Sequence, residues 1–359
     1  MKQTILFLSA LFLCVACTVL CGCKKRSAPD IDKLTCFIDL HLHLDGSISV
    51  KSARELAKMQ NIPVPEDDDD LAALLQADGD CNSLVEFLEK FDFPCSLTQT
   101  GAALKKATEN LLSELKEDGV MYAEIRFAPQ NHTALGMTQR EAVAAVLDGI
   151  RASDIPCGLI LCCMRGEGTD APNRETVEIA AEYFGKGVCA LDIAGDEAAY
   201  PITLYADFLS AAKEKGIPLT LHAGEAAGAE SVRDTVNLGA VRIGHGVRAS
   251  EDEATIALLR EKNITLETCP TSNLYTGIYD SISDFPLRQF IGGGVKITVN
   301  TDDMSVCKTD IKSEYKKLIK EFGLTSAEVK MLLQNAVEAS FAGDELKSAL
   351  SDEINRQIK

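Results

Sequence analysis

The feature that most constrains this 359-residue chain is a recurrence: a short apolar run followed by a stretch with helical spacing, eight times over. The runs are residues 35–43, 120–128, 158–164, 188–195, 219–223, 241–245, 265–269 and 296–300. Each is rich in Ile, Leu, Val and Cys and nearly continuous in hydrophobicity, the pattern of strands buried on both faces. Eight such alternations point to a closed parallel (β/α)8 TIM barrel, with a doubly wound open sheet as the alternative. A barrel takes roughly 250 residues, and more with insertions. Residues 35–359 therefore read as one barrel domain, and a hydrophobic content of 46% is enough to fill its core.

The intervening segments carry helix signals. Residues 98–116 place apolar side chains at helical spacing and stop at Gly119, and 204–215 stop at Gly216. Thr138 with Glu141, and Thr325 with Glu328, form capping boxes. About 75 residues separate the first two strands, too many for one βα unit, so an excursion of extra helices is expected there. Residues 83–93 are one candidate helix, in which Leu84, Phe87, Leu88 and Phe91 share a face. The acidic run 67–70 in the same excursion reads as a solvated loop.

A net charge of −18 argues against nucleic acid as a partner, because phosphates call for Lys and Arg. The first 23 residues stand apart from the barrel. Lys2 precedes an apolar run that ends at Gly22, and Lys24, Lys25 and Arg26 follow. This reads as a signal segment over 1–23, with 24–34 as a short linker. Leu20-Cys21-Gly22-Cys23 looks like a bacterial lipobox, so a lipid on Cys23 is the one membrane contact expected. Export as an anchored lipoprotein is the first reading; an uncleaved anchor, or a cytoplasmic protein if the segment is no functional signal, are its rivals. The nine cysteines beyond this segment are odd in number and lie mostly in apolar runs, so they read as buried small hydrophobes, not a disulfide framework.

Histidine is scarce, with five in the chain, and four of them fall at the C-terminal ends of expected strands, where barrels build their sites. His41 and His43, two apart on a strand, face the same side. His222 and His245 end the fifth and sixth strands, and Asp302 and Asp303 end the eighth. Adjacent carboxylates after an apolar strand are costly unless a cation or hydrogen bonds satisfy them. Three histidines and one aspartate from this group make a zinc set with a position left for water, and Glu225 is a spare acid beside it. His132, outside these clusters, reads as an ordinary surface histidine.

HLHLDG at 41–46, SLVEFLEKFD at 83–92, DIAGDE at 192–197, HAGE at 222–225, GHG at 244–246, CPTSN at 269–273 and NTDD at 300–303 closely resemble the adenosine deaminase family, in the right order. The resemblance covers about residues 37–341 and implies a role for each matching residue. His41, His43, His222 and Asp302 would hold one Zn2+ per chain, and hydroxide generated there would attack C6 of the purine. Glu225 would give a proton to ring N1, and His245 would orient the water. Asp303 would bond the N7 side, the Gly195 N–H would reach N3, and Asp45 would hold a ribose hydroxyl. The face of Leu84, Phe87, Leu88 and Phe91, which spacing alone assigns to core packing, would line the pocket as an apolar gate. Asp192 and Glu197 are equally open to structural and catalytic roles.

The implied reaction converts adenosine, and 2′-deoxyadenosine with it, to inosine-type products and ammonia. Adenine deaminases resemble this chain too, but carry Glu where Asp45 stands, and the shorter acid leaves room for a sugar. AMP is disfavoured because the motifs offer no Arg or Lys cluster; a modified adenine nucleoside stays open. A surface nucleoside-binding protein without activity is the alternative from another class, and Glu225 beside the ligand set argues against it. Met304 and Phe285 depart from the family pattern, which usually has Pro and often His there, and both are expected to alter the loops at the barrel mouth.

Overall fold

The computed structural model describes residues 28–77 and 83–359; the signal segment, Cys23 and Cys81 lie outside them. Eight parallel strands form: β1 (Phe37–His43), β2 (Val120–Phe127), β3 (Cys157–Met164), β4 (Val188–Ala194), β5 (Thr220–Ala223), β6 (Arg242–His245), β7 (Thr265–Thr268) and β8 (Lys296–Val299). They pair in sequence order as two four-stranded halves. Parallel bridges Leu42–Asp302 and Leu191–Leu219 join the halves at both seams, so the fold is the expected TIM barrel. At the first seam the His43 N–H donates to the Asp302 carbonyl at 2.7 Å, and the Asp302 N–H to the His41 carbonyl at 2.8 Å. That seam therefore sets β1 and the end of β8 side by side. Helices pack outside the strands over one apolar core that runs from Ile31 to Ile358. Among the described residues no helix is long and apolar enough to cross a membrane.

The excursion after β1 is helical, as its length requires. The acidic run behaves differently from a loop: Asp67 accepts from the N–H groups of Asp69 and Asp70 and caps the helix Asp68–Leu75. Carboxylates in a first turn complement the orphan N–H groups and the helix dipole, so the charge block starts a helix. The segment expected as one helix over 83–93 is broken into Leu84–Leu88, a 3-10 turn Glu89–Phe91, and Asp92–Ser96. The helix expected over 98–116 begins later, at Gly101, because Thr100 caps it by accepting from the Ala103 N–H. The one expected from 204 opens with the 3-10 turn Ile202–Tyr205 before Ala206–Glu214. Both capping boxes form.

Candidate metal centre and nucleoside pocket

The C-terminal ends of the strands converge on a cavity of about 390 Å3, within the size range of small-molecule sites. His43, His222, His245, Asp302, Asp303, Glu225, Asp45 and Gly195 line it, and Leu84, Phe87, Leu88 and Phe91 form one apolar wall. This wall packs on Ala77, Val306 and Cys307 as a small cluster separate from the main core. Two of the five non-glycine residues with left-handed φ among the described residues stand here, His245 at 58° and Asp302 at 62°. Such conformations cost about 1–3 kcal/mol each and persist only where the surroundings enforce them.

His41, His43, His222 and Asp302 bring four donor atoms to one point. His222 Nε2 lies 3.2 Å from His41 Nε2 and 3.3 Å from His43 Nε2. Asp302 Oδ1 lies 3.2 Å from His41 Nε2 and 3.4 Å from His43 Nε2. These are edges of a tetrahedron whose centre sits about 2.0 Å from each corner, the length of a Zn–N or Zn–O bond. Two of the imidazoles, His43 and His222, are in the ligating form. Burial lowers His43 well below the ordinary histidine range and brings His222 down to about 4, so both are neutral at pH 7. Burial opposes ionisation of Asp302, but the surrounding histidines outweigh it and hold that carboxyl well below its usual range. Close approach is built in at Gly244, where a Cβ would come 2.8 Å from His41 Cε1.

The far nitrogens of two of these rings are fixed by buried carboxylates. His41 Nδ1 donates to Glu267 Oε2 at 2.8 Å, and His222 Nδ1 lies 2.8 Å from Asp192 Oδ2. Each contact selects the tautomer whose Nε2 lone pair faces the centre. The carboxylates belong to one buried chain of charges. Arg126 reaches Asp192 and Glu267, both at 2.7 Å, and Arg242 reaches Glu267 at 2.5 Å and Glu124 at 2.6 Å. Burial opposes the charge on Glu267, but Arg242 and Arg126 hold it well below the usual carboxylate range.

Around the centre stand groups fit for proton transfer. Burial raises Glu225 to about 7, with the charges of Asp302 and Glu197 adding to the shift against His245. Burial, together with Asp302 and Asp45, pushes Asp303 well above its usual range and so favours its neutral form, and its Oδ1 has no partner. His245 Nε2 lies 3.8 Å from Glu225 and 3.7 Å from Asp302, and its Nδ1 is 3.2 Å from the Asn273 amide nitrogen.

Residues 37–357 match the profile of a family described as "Adenosine deaminase". An adenosine deaminase of Haemophilus ducreyi is 44% identical over 329 residues, covering 89% of this chain and 96% of that protein. The chain belongs to the adenosine deaminase family. Among solved structures, an adenine deaminase from Arthrobacter aurescens superposes with a TM-score of 0.80 at 25% identity, covering 89% of this chain and 98% of that one. The N6-methyl-AMP deaminase of Arabidopsis thaliana gives 0.79 at 27% identity, covering 91% and 97%.

Within this adenosine deaminase barrel, several residues stand where the sequence did not put them. His132 is fully buried, not on the surface: its Nδ1 lies 3.0 Å from Thr98 Oγ1 and its ring packs on Phe127. It follows the end of β2, and the excursion helices cover it. Cys95, Cys162, Asn131, Met164 and Asp92 also line the cavity. Met304 and Phe285 do not line it; Phe285 is buried against Tyr279 and Phe322. Glu197 takes a positioning part: its carboxylate accepts from the N–H groups of Gly224, Glu225 and Ala227 at 2.7–3.0 Å and fixes the loop that carries Glu225. The polar residues of the buried network carried one signal, a two-residue alternation of Glu124 and Arg126 inside an apolar strand.

Proposed function

We propose that this protein hydrolyses the 6-amino group of adenosine, and of 2′-deoxyadenosine, to the 6-oxopurine nucleoside and ammonia. The observation that carries the reading is the tetrahedral set His41, His43, His222 and Asp302, with Glu225 and His245 beside it on a nucleoside-sized cavity. The donor chemistry, three imidazoles and a carboxylate, suits Zn2+, which when bound supplies hydroxide at neutral pH by lowering the pKa of water to about 7.

The chain's own residues then have the following work. His245, with Asn273 on Nδ1, directs Nε2 toward the attacking water and takes part in moving its proton. Glu225, whose protonated form burial favours, donates to purine N1 as C6 gains its fourth substituent, which relieves the negative charge building on the ring. Asp303 meets N7, the Gly195 N–H meets N3, and Asp45 accepts from a ribose hydroxyl. The wall of Leu84, Phe87, Leu88 and Phe91 covers the base and keeps bulk water away. As the bond from C6 to the amino nitrogen breaks, that nitrogen takes the proton held by His245 and leaves as ammonia, while the C6 hydroxyl proton passes to Glu225 as the C6 carbonyl forms, so both residues return to their starting states.

Two observations favour an unphosphorylated nucleoside over AMP or adenine. Among the described residues lining the cavity none is a lysine or arginine, and Asp45 stands on the wall as a hydroxyl acceptor. The test is ultraviolet turnover of adenosine, 2′-deoxyadenosine, adenine and AMP in parallel, with and without chelator. Turnover confined to the nucleosides and lost to chelator is expected. Turnover of adenine alone removes the role of Asp45, and inertness toward all four with metal bound at one equivalent favours a nucleoside-binding protein. We further propose export with a lipid on Cys23, supported by the Leu20-Cys21-Gly22-Cys23 sequence behind an apolar run. Labelled fatty acid should enter the native chain and not Cys23→Ser; an unlabelled native chain rejects it.

A further inference from the structure

Beside the cavity, Asp45, Cys95 and His132 bring an oxygen, a sulfur and a nitrogen within 4.8 Å of one another. Cys95 Sγ lies 3.6 Å from Asp45 Oδ2, and His132 Nε2 lies 4.0 Å from the same oxygen. The three come from separate parts of the chain: the turn after β1, the short helix Asp92–Ser96, and the turn Pro129–His132 after β2. The function proposed above uses only Asp45.

The hydrogen bonding around His132 decides what its free nitrogen is. Thr98 Oγ1 has one proton, and carbonyls of Pro94 and Cys95 lie 3.1 and 3.0 Å away to receive it. Its lone pair is thus left to accept from His132 Nδ1–H at 3.0 Å. Burial lowers His132, so the ring is neutral and Nε2 carries a bare lone pair. That atom is buried with no hydrogen-bond partner, and so is Asp45 Oδ1. Two buried acceptors without partners on neighbouring side chains, with only a thiol proton nearby, form an arrangement that a cation would complete.

We propose that Asp45, Cys95 and His132 form a second metal site that takes a thiophilic divalent ion, Zn2+ or Cd2+, and that an ion there competes with the sugar of the nucleoside. Imidazole, carboxylate and thiolate make a borderline-to-soft donor set with a fourth position open to water. Binding replaces the Cys95 S–H proton, which leaves to solvent as the metal–sulfur bond forms, so affinity rises with pH. The sulfur-to-oxygen spacing already matches a shared ion. The nitrogen-to-oxygen distance of 4.0 Å must close by about 0.7 Å, a shift shared between the side chains of Asp45 and His132.

The competition with nucleoside rests on the proposed function; the binding itself does not. The experiment titrates the enzyme, already holding one equivalent of Zn2+, with Cd2+. It reads total bound metal by equilibrium dialysis and the ultraviolet charge-transfer band of a cadmium thiolate. A second equivalent should bind with the band. The band should vanish in Cys95→Ser, and affinity should fall about 10-fold or more in His132→Gln, while both variants keep their first equivalent of Zn2+ as the sign of an intact barrel. Inosine should weaken Cd2+ binding in the native chain. A total of one equivalent, or a band that survives Cys95→Ser, overturns the site. A His132→Gln chain that loses its first zinc is replaced by His132→Asn, and unchanged Cd2+ affinity there removes His132 from the set. Cd2+ binding unaffected by inosine overturns the competition.

Discussion

Glu267→Gln tests the link between the buried charges and the metal centre. The substitution keeps the shape of the side chain and turns one carboxylate oxygen into an NH2 group. In the native chain Oε2 receives His41 Nδ1 and Arg126, and Oε1 receives Arg242 and Thr220, all in a wholly buried setting. Whichever oxygen is replaced, an amide donor faces two other donors, and two buried groups lose their acceptor. At about 1–3 kcal/mol for each of the two unsatisfied groups, the loss comes to about 2–6 kcal/mol, which brackets the roughly 3–5 kcal/mol found when a buried ion pair loses one partner. A second effect is separable from the first. Without the Glu267 carboxylate the tautomer and orientation of His41 are no longer enforced, which costs about 10–100-fold in metal affinity. Urea unfolding of the metal-free protein reads the first quantity, and competition with a chelator reads the second. Glu124→Gln is the control, because Glu124 meets Arg242, Tyr122 and the Phe341 N–H and touches no ligand histidine. It should lower stability and leave metal affinity within about twofold. Equal metal affinities for the native chain and Glu267→Gln would refute the claim that this carboxylate sets the His41 ligand, whatever happens to stability.

Three further outcomes follow from the site. Glu225→Gln should retain metal and lose about 3 kcal/mol or more of transition-state stabilisation, 10²-fold or more in kcat, because the amide N–H is far too weak an acid to transfer a proton to N1; near-native turnover would remove Glu225 as the donor. Asp302→Ala deletes one of four ligands, so metal content after dialysis should fall well below one equivalent, and full retention would mean the ligand set is misassigned. Gly244→Ala puts a methyl 2.8 Å from His41 Cε1 between two packed strands; chelator competition should show weaker metal binding with little change in unfolding midpoint, and native affinity would show that His41 has room to move.

The barrel was legible because its signal is repetitive. Each strand is buried on both faces and so appears as an apolar run, and eight runs in order leave few topologies. The metal donors were legible for the opposite reason: His and Asp at the ends of such runs are costly there without a partner, which is why they stand out. The excursion after β1 was harder. Asp67 to Asp70 look alike as a charge block, yet Asp67 caps and the next three open a helix, a distinction made by local backbone geometry. His132 shows the limit most clearly. Its neighbours in the sequence are polar, and it is buried only because Thr98 and Cys95, more than thirty residues away, fold over it.

The charged floor of the barrel was hidden differently. Arg126, Arg242, Glu124 and Glu267 sit within strands that look apolar on average, and nothing in linear order shows that the two arginines meet the same glutamate. Their pairing depends on barrel closure, which brings β2 beside the interior face of β6 and β7. Such a network is a poor source of net stability, since desolvation cancels much of the attraction. Its value here lies in position: it ends on Nδ1 of His41 through Glu267 and on Nδ1 of His222 through Asp192. A hydrophobic floor would fill the same volume but leave both rings free to turn, and the four donors would no longer be held within bonding distance of one ion.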